Sequence, residues 1–266
     1  MFDVRCSGFG ILSLFPRISV CSCLILLFAP ALSGLAHAAE SSPRAQAERV
    51  YQEKAKSYQE QPGPVEAAWQ FGRASFDLGE LATNNTERAE IAERAIAACQ
   101  KALVTNANCA PAHYYLALNL GELARTKSVG ALKIVTQMER ELTAAADLDK
   151  NFDFAGADRS LGLLYRDAPS LISIGSRSKA RQHLQRAIEL APEYPENRLD
   201  LIDSCLKWGD RTQARRELAA AQAIWPKARE KLKGPEWSAS WKEWDAQLDA
   251  STKKVEEASK LESPRH

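Results

Sequence analysis

The chain has 266 residues, with 35 Lys and Arg against 34 Asp and Glu and a formal net charge of +1. That balance argues against a dedicated nucleic-acid binder, which needs a basic surface to neutralise phosphates. Ala, Leu, Glu, Lys, Arg and Gln dominate the long stretches, and runs of Val, Ile and Thr are scarce beyond the N-terminus. The expected fold class is therefore all-α.

The first element is set apart from the rest. Arg5 and Arg17 precede the apolar stretch "ISVCSCLILLFAPALSGLAHAAE", which closes on Ala36-His37-Ala38. The apolar run is short for a membrane span, and small-x-small is what signal peptidase requires, so residues 1–38 read as a secretory signal peptide. An uncleaved N-terminal anchor is the alternative. Cys21 and Cys23 do not make a lipoprotein site, because Val20 is too large before the modified Cys and most of the apolar core follows it. Cleavage leaves a neutral chain with Cys99, Cys109 and Cys205. Three cysteines form at most one bridge and no disulfide framework.

Residues 39–64 read as a lead-in helix and linker, with a loose segment as the alternative. Val50, Tyr51, Ala55 and Tyr58 are the helix's apolar side, and "QPGP" (Gln61–Pro64) breaks it. Residues 65–226 are helical segments interrupted by "ATNNTERAE", by "RTKSVGALKIV" with a turn at Gly130, and by "APSLIS". The later part of this region carries a period of 34: Gly175 with Gly209, Ala180 with Ala214, Leu184 with Leu218, Ala187 with Ala221, Pro192 with Pro226. Small, apolar and helix-breaking residues at one spacing mark a solenoid. Gly175 and Gly209 allow a turn, Asp210 with Gln213 reads as an N-cap and capping box, the alanines mark close helix crossings, and each proline stops a helix. Within residues 227–251, Trp237, Trp241, Trp244 and Leu248 fall on one helical stripe, expected to cap the last repeat or, alternatively, to meet a partner. The charged residues 252–266 are expected to fray.

These positions resemble the tetratricopeptide repeat (TPR), a helix–turn–helix unit of 34 residues. "LGLLY" carries its Leu-Gly-x-x-Tyr signature at Leu161, Gly162 and Tyr165. Leu116 and Ala117, Leu201 and Cys205, and Trp69 and Phe76 take corresponding places. The resemblance implies a right-handed TPR-like solenoid of about four helix–turn–helix units plus a C-terminal capping helix. From Leu161 to Pro192 there are six more residues than the last repeat needs, and "APSLIS" is where they fit.

No catalytic constellation is present. Past the leader the histidines are His113, His183 and the terminal His266. No His or Cys spacing suggests a metal, and no phosphate loop or nucleophile elbow occurs. The reading is of a non-enzymatic protein needing no cofactor and no metal. TPR register then implies a concave groove lined by Gln70 and Asp77, by Tyr114 and Glu122, by Arg159, Arg166 and Asp167, and by Leu199, Asp203 and Lys207. Arg159 and Arg166 are seven apart, hence on one helix face about 10 Å apart. They either clamp a partner's carboxylate or pair with acids on neighbouring helices.

The function expected is a periplasmic or secreted interaction scaffold that docks a partner protein or segment in that groove, with no nucleic acid and no stable membrane span after cleavage. A finer resemblance is to the T component of TRAP transporters, carried by "AHYYLALNLGELAR", "AAADLDKNFD" and "LGLLYRDAP" followed by "SIGSRSKARQHLQRAIELAPEYPENRL". It implies a solute-binding protein as partner, an apolar or organic-acid ligand, and is compatible with a homo-oligomer.

Overall fold

The computed structural model describes residues 42–127 and 130–260, with side chains described to residue 257. The expected leader, with His37, Cys6, Cys21 and Cys23, lies outside the described residues, as do Ser128, Val129 and the last six residues. Among the described residues there are ten α-helices and no strand. They are α1 Pro43–Glu60, α2 Val65–Glu80, α3 Asn85–Thr105, α4 Ala110–Arg125, α5 Ala131–Leu148, α6 Gly156–Asp167, α7 Arg177–Leu190, α8 Pro195–Lys207, α9 Arg211–Lys231 and α10 Ser238–Lys260, with a 3-10 turn at Pro235–Trp237 before the last.

The helices pair α2/α3, α4/α5, α6/α7 and α8/α9. Each packs on the next along the chain, α2 also packs on α4, and α10 packs on α8 where a further repeat would begin. Small residues set the closest approaches. Ala180, Ala187, Ala214 and Ala221 are fully buried, and a Cβ on Gly162 would lie 2.6 Å from Leu184 Cγ. Leu184 is itself fully buried, a burial worth about 1.5–3 kcal/mol.

Local chemistry starts and stops the helices. The Ser42, Asn84, Ser176 and Asp210 side chains accept the N–H of the third residue of α1, α3, α7 and α9. At α3 a variant of the capping box forms: Asn84 accepts the Glu87 N–H at 2.9 Å, and Glu87 reaches back to accept the Thr83 N–H at 2.8 Å. At Asp210 only half of that device forms, because Gln213 turns to Glu217 instead. Gly209 has φ 71°, so it makes the turn that follows α8. Gly175 is needed for space instead, since a Cβ there would run into the Ala168 carbonyl.

Four expectations on element boundaries need correction. "ATNNTERAE" is mostly helix: the loop after α2 is Leu81–Asn84, and the extra length makes α3 one of the longer helices at 21 residues. Pro226 does not stop α9, which runs on to Lys231. Burial of Ala228 and Leu232 against Trp237, Trp241 and Trp244 rewards the continuation despite the lost backbone bond. The capping helix accordingly starts at Ser238, not at residue 227. Residues 252–260 are helical because Val255 is buried with Leu201 and Leu218.

The tryptophan stripe lies inward. Trp237, Trp241 and Trp244 are buried with Tyr194 and Leu199, and the Trp241 indole N–H donates to the Leu232 carbonyl at 2.6 Å. Cys99, Cys109 and Cys205 are free thiols, and burial pushes the Cys99 thiol up to about 12.

Candidate functional site

The curvature of the array brings its two ends face to face. The N-terminal part of α10 stands opposite α1 and α2 across a cavity of about 760 Å³. Ala47 and Val50 of α1, Trp69, Ala74 and Leu81 on the α2 side, and Ala239 and Ala246 of α10 make its apolar wall. Lys54, Arg73 and Lys242, with Asp77, Glu80 and Glu243, add three basic and three acidic side chains. Trp69 is held in place by stacking on Tyr115, with ring centroids 6.0 Å apart. Several of these charges are bound within the chain: Arg73 to Asp77 at 3.9 Å, Glu80 to Arg125 at 2.6 Å, Lys54 to Glu53 at 3.0 Å.

Glu80, which lines this cavity, stands beside a second carboxylate. Glu122 is almost wholly buried and is gripped by Arg88 at 3.0 Å and Arg125 at 2.8 Å. Burial, and then the adjacent Glu122 charge, pushes the Glu80 carboxyl up to about 8. Arg125 opposes that rise by bonding to both acids.

The residues assigned to a groove by repeat register separate into three groups. Gln70 and Asp77 line the cavity. Tyr114, Glu122, Arg159 and Leu199 are buried, which corrects their placement on an exposed groove. The Tyr114 hydroxyl donates to Asp153 at 2.7 Å. Arg159, 2% exposed, reaches Asp153 at 3.3 Å and Asn197 at 3.1 Å, and lies over the Tyr194 ring. The third group is a partly exposed cluster. Arg166 holds Asp167 through two bonds of 2.8 and 2.7 Å and reaches Asp203 at 3.1 Å, while Lys207 meets Asp203 at 3.4 Å and Asp167 at 3.7 Å. Arg159 and Arg166 are thus each occupied by carboxylates of this chain and do not form a two-arginine clamp.

His113 bonds Glu141 at 2.6 Å and the Ala107 carbonyl at 3.0 Å, and His183 bonds Asp158 at 2.8 Å. Among the described residues no cluster of His, Cys, Asp and Glu is arranged to hold a metal ion.

The chain before α6 contains a feature that repeat register does not show. Asp153, Phe154 and Ala155 have φ of 53°, 55° and 63°, three successive left-handed residues without a glycine. Asn197 Nδ2 donates to the Phe154 carbonyl at 3.1 Å, and the Phe154 ring stacks on Tyr194 at 4.4 Å. Arg159 and Tyr114 hold the Asp153 carboxylate, so the strained turn is fixed by buried polar contacts from three helices. Its composition, "NFDFAG", gives no glycine or proline signal at the strained positions.

The fold has a counterpart among solved structures. The crystal structure of a thermophilic TPR protein of Thermus thermophilus superposes with a TM-score of 0.57, covering 83% of this chain and 95% of that one at 17% identity. The fold is a TPR-like solenoid. A family model described as Regulator of microtubule dynamics protein 1-3 matches residues 35–155, from the lead-in through the strained turn. No curated protein matches the chain.

Proposed function

We propose that this chain is a periplasmic or secreted interaction scaffold, without catalysis of its own, that receives a segment of a partner protein in the cavity between α1, α2 and α10. The observation that carries the reading is the cavity: its apolar wall is framed by both ends of a TPR-like array and is open to solvent. Burial of partner side chains there supplies affinity, and the rim charges set register. The leader pattern at residues 1–38 supports export. No helix among the described residues is long and apolar enough to cross a membrane.

A second reading is an accessory protein of a TRAP-type uptake system that docks a solute-binding protein. The apolar wall favours it over a purely polar docking groove, since an organic acid with a carbon skeleton fits such a cavity. A photo-crosslinking residue at Val50 or Lys242, with Lys56 as an exposed control, tests both readings in intact cells. A discrete envelope protein crosslinked from the cavity positions and not from position 56 supports the first. If that protein binds solutes, the second is supported. Capture of a filament protein would favour the role that the matching family's name suggests. Equal labelling from all three positions overturns the cavity as a docking site.

A further inference from the structure

The loop between α6 and α7, residues 168–176, is held from within. Ala168 is buried and Ile174 packs against the core. The Ser176 N–H donates to the Tyr165 carbonyl at 2.8 Å, and the Ser173 N–H to the Pro169 carbonyl at 3.1 Å. Gly175 lies so close to Ala168 that no side chain fits. Two of the loop's large apolar residues take no part in this. Leu171 is 97% exposed and Ile172 70%. They are the only adjacent pair of exposed large apolar side chains among the described residues. The fold gains no burial from them, and an apolar knob on a fixed loop is a surface awaiting cover.

The cavity shows what can cover it. Four of its six ionisable side chains, Lys54, Arg73, Asp77 and Glu80, are already bound to partners within the chain. A charged guest would bury a charge without a matching field, which is costly, whereas a neutral apolar guest loses nothing. The loop "APSLISIGS" contains no ionisable side chain.

We propose that Leu171 and Ile172 of one copy seat in the α1–α2–α10 cavity of a second copy. The inference rests on the reading of that cavity as a docking site and names the chemistry it accepts, a neutral apolar loop. Knob and cavity are different surfaces of one chain, so the contact is heterologous. Each added copy leaves one knob and one cavity open, and assemblies grow as rings or chains. Self-association and partner docking then compete for the same cavity.

Sedimentation velocity of the purified protein over a concentration series tests this. The variants are L171S/I172S, which alters only exposed side chains, and Ala246→Trp, which fills the cavity from an exposed helix position. The wild type is expected to gain mass with concentration, and each variant to associate at least about tenfold more weakly. An equimolar mixture of the two variants should form a species of two copies and none larger, because an intact knob then meets an intact cavity once. A wild type that stays monomeric up to about 1 mM overturns the proposal. So do variants that associate like the wild type, or a mixture that fails to pair. Crosslinking to a partner from Val50 that persists in L171S/I172S keeps the docking function standing on its own.

Discussion

Gly162 offers the sharpest test of how the helix pairs are held. Replacing a helix-interior glycine by alanine is favourable by about 1 kcal/mol when the new methyl has room. At Gly162 it has none: the added Cβ would meet Leu184 Cγ at 2.6 Å, Cδ2 at 2.8 Å and the Leu184 backbone nitrogen at 3.1 Å. Leu184 is fully buried and cannot swing aside, and the backbone contact forces α6 and α7 apart. Overpacking of this kind costs about 1–3 kcal/mol, here at the upper end, so Gly162→Ala should lose about 1–2 kcal/mol net. Gly79→Ala is the control, since its Cβ would lie 3.5 Å from Glu122 Cγ, an ordinary contact. It should gain about 0.5–1 kcal/mol. Urea unfolding followed by circular dichroism reads both. The Gly162→Ala midpoint should fall by roughly 0.5–1 M and that of Gly79→Ala should rise. If Gly162→Ala is as stable as the wild type, or Gly79→Ala loses as much, close approach is not what requires glycine in α6.

Arg159→Ala removes the buried cation between Asp153, Asn197 and the Tyr194 ring, which should cost about 3–5 kcal/mol and lower the melting temperature by roughly 6–20 °C. An unchanged melting temperature in calorimetry would restore Arg159 as a surface ligand. Glu80 gives a pH dependence: folded, it keeps its proton to about pH 8, against an ordinary value of 4.5. The folded state binds the extra proton between these values, so this group's contribution to stability is present below about pH 4.5 and is lost as pH rises through about 8. Glu80→Gln should therefore gain stability relative to the wild type between pH 5 and 8.5, and parallel urea midpoints across that range would refute the assignment.

Much of the architecture was legible because a solenoid is a local object. The 34-residue period, Leu161-Gly162-x-x-Tyr165 and the small residues at Ala180, Ala187, Ala214 and Ala221 each describe contacts between helices close in sequence. Gln70 and Asp77, which register assigns to the groove, line the cavity between α1, α2 and α10. The same register failed for Tyr114 and Arg159. These positions face inward in the middle of the array, where the Asp153–Ala155 turn and Asn197 of the next unit close over them.

The sequence by itself determined the helix pairs, their caps and the close-packed faces, since these follow from periodicity and from neighbours within one or two units. Only the tertiary structure decided that α10 returns to face α1 and α2, that Arg159 and Arg166 are spent on this chain's own carboxylates, and that Leu171 and Ile172 stand uncovered. The physical reason is that curvature accumulates over every helix crossing of the array. Small angles at many interfaces set where the two ends meet, and no single stretch of residues encodes that sum.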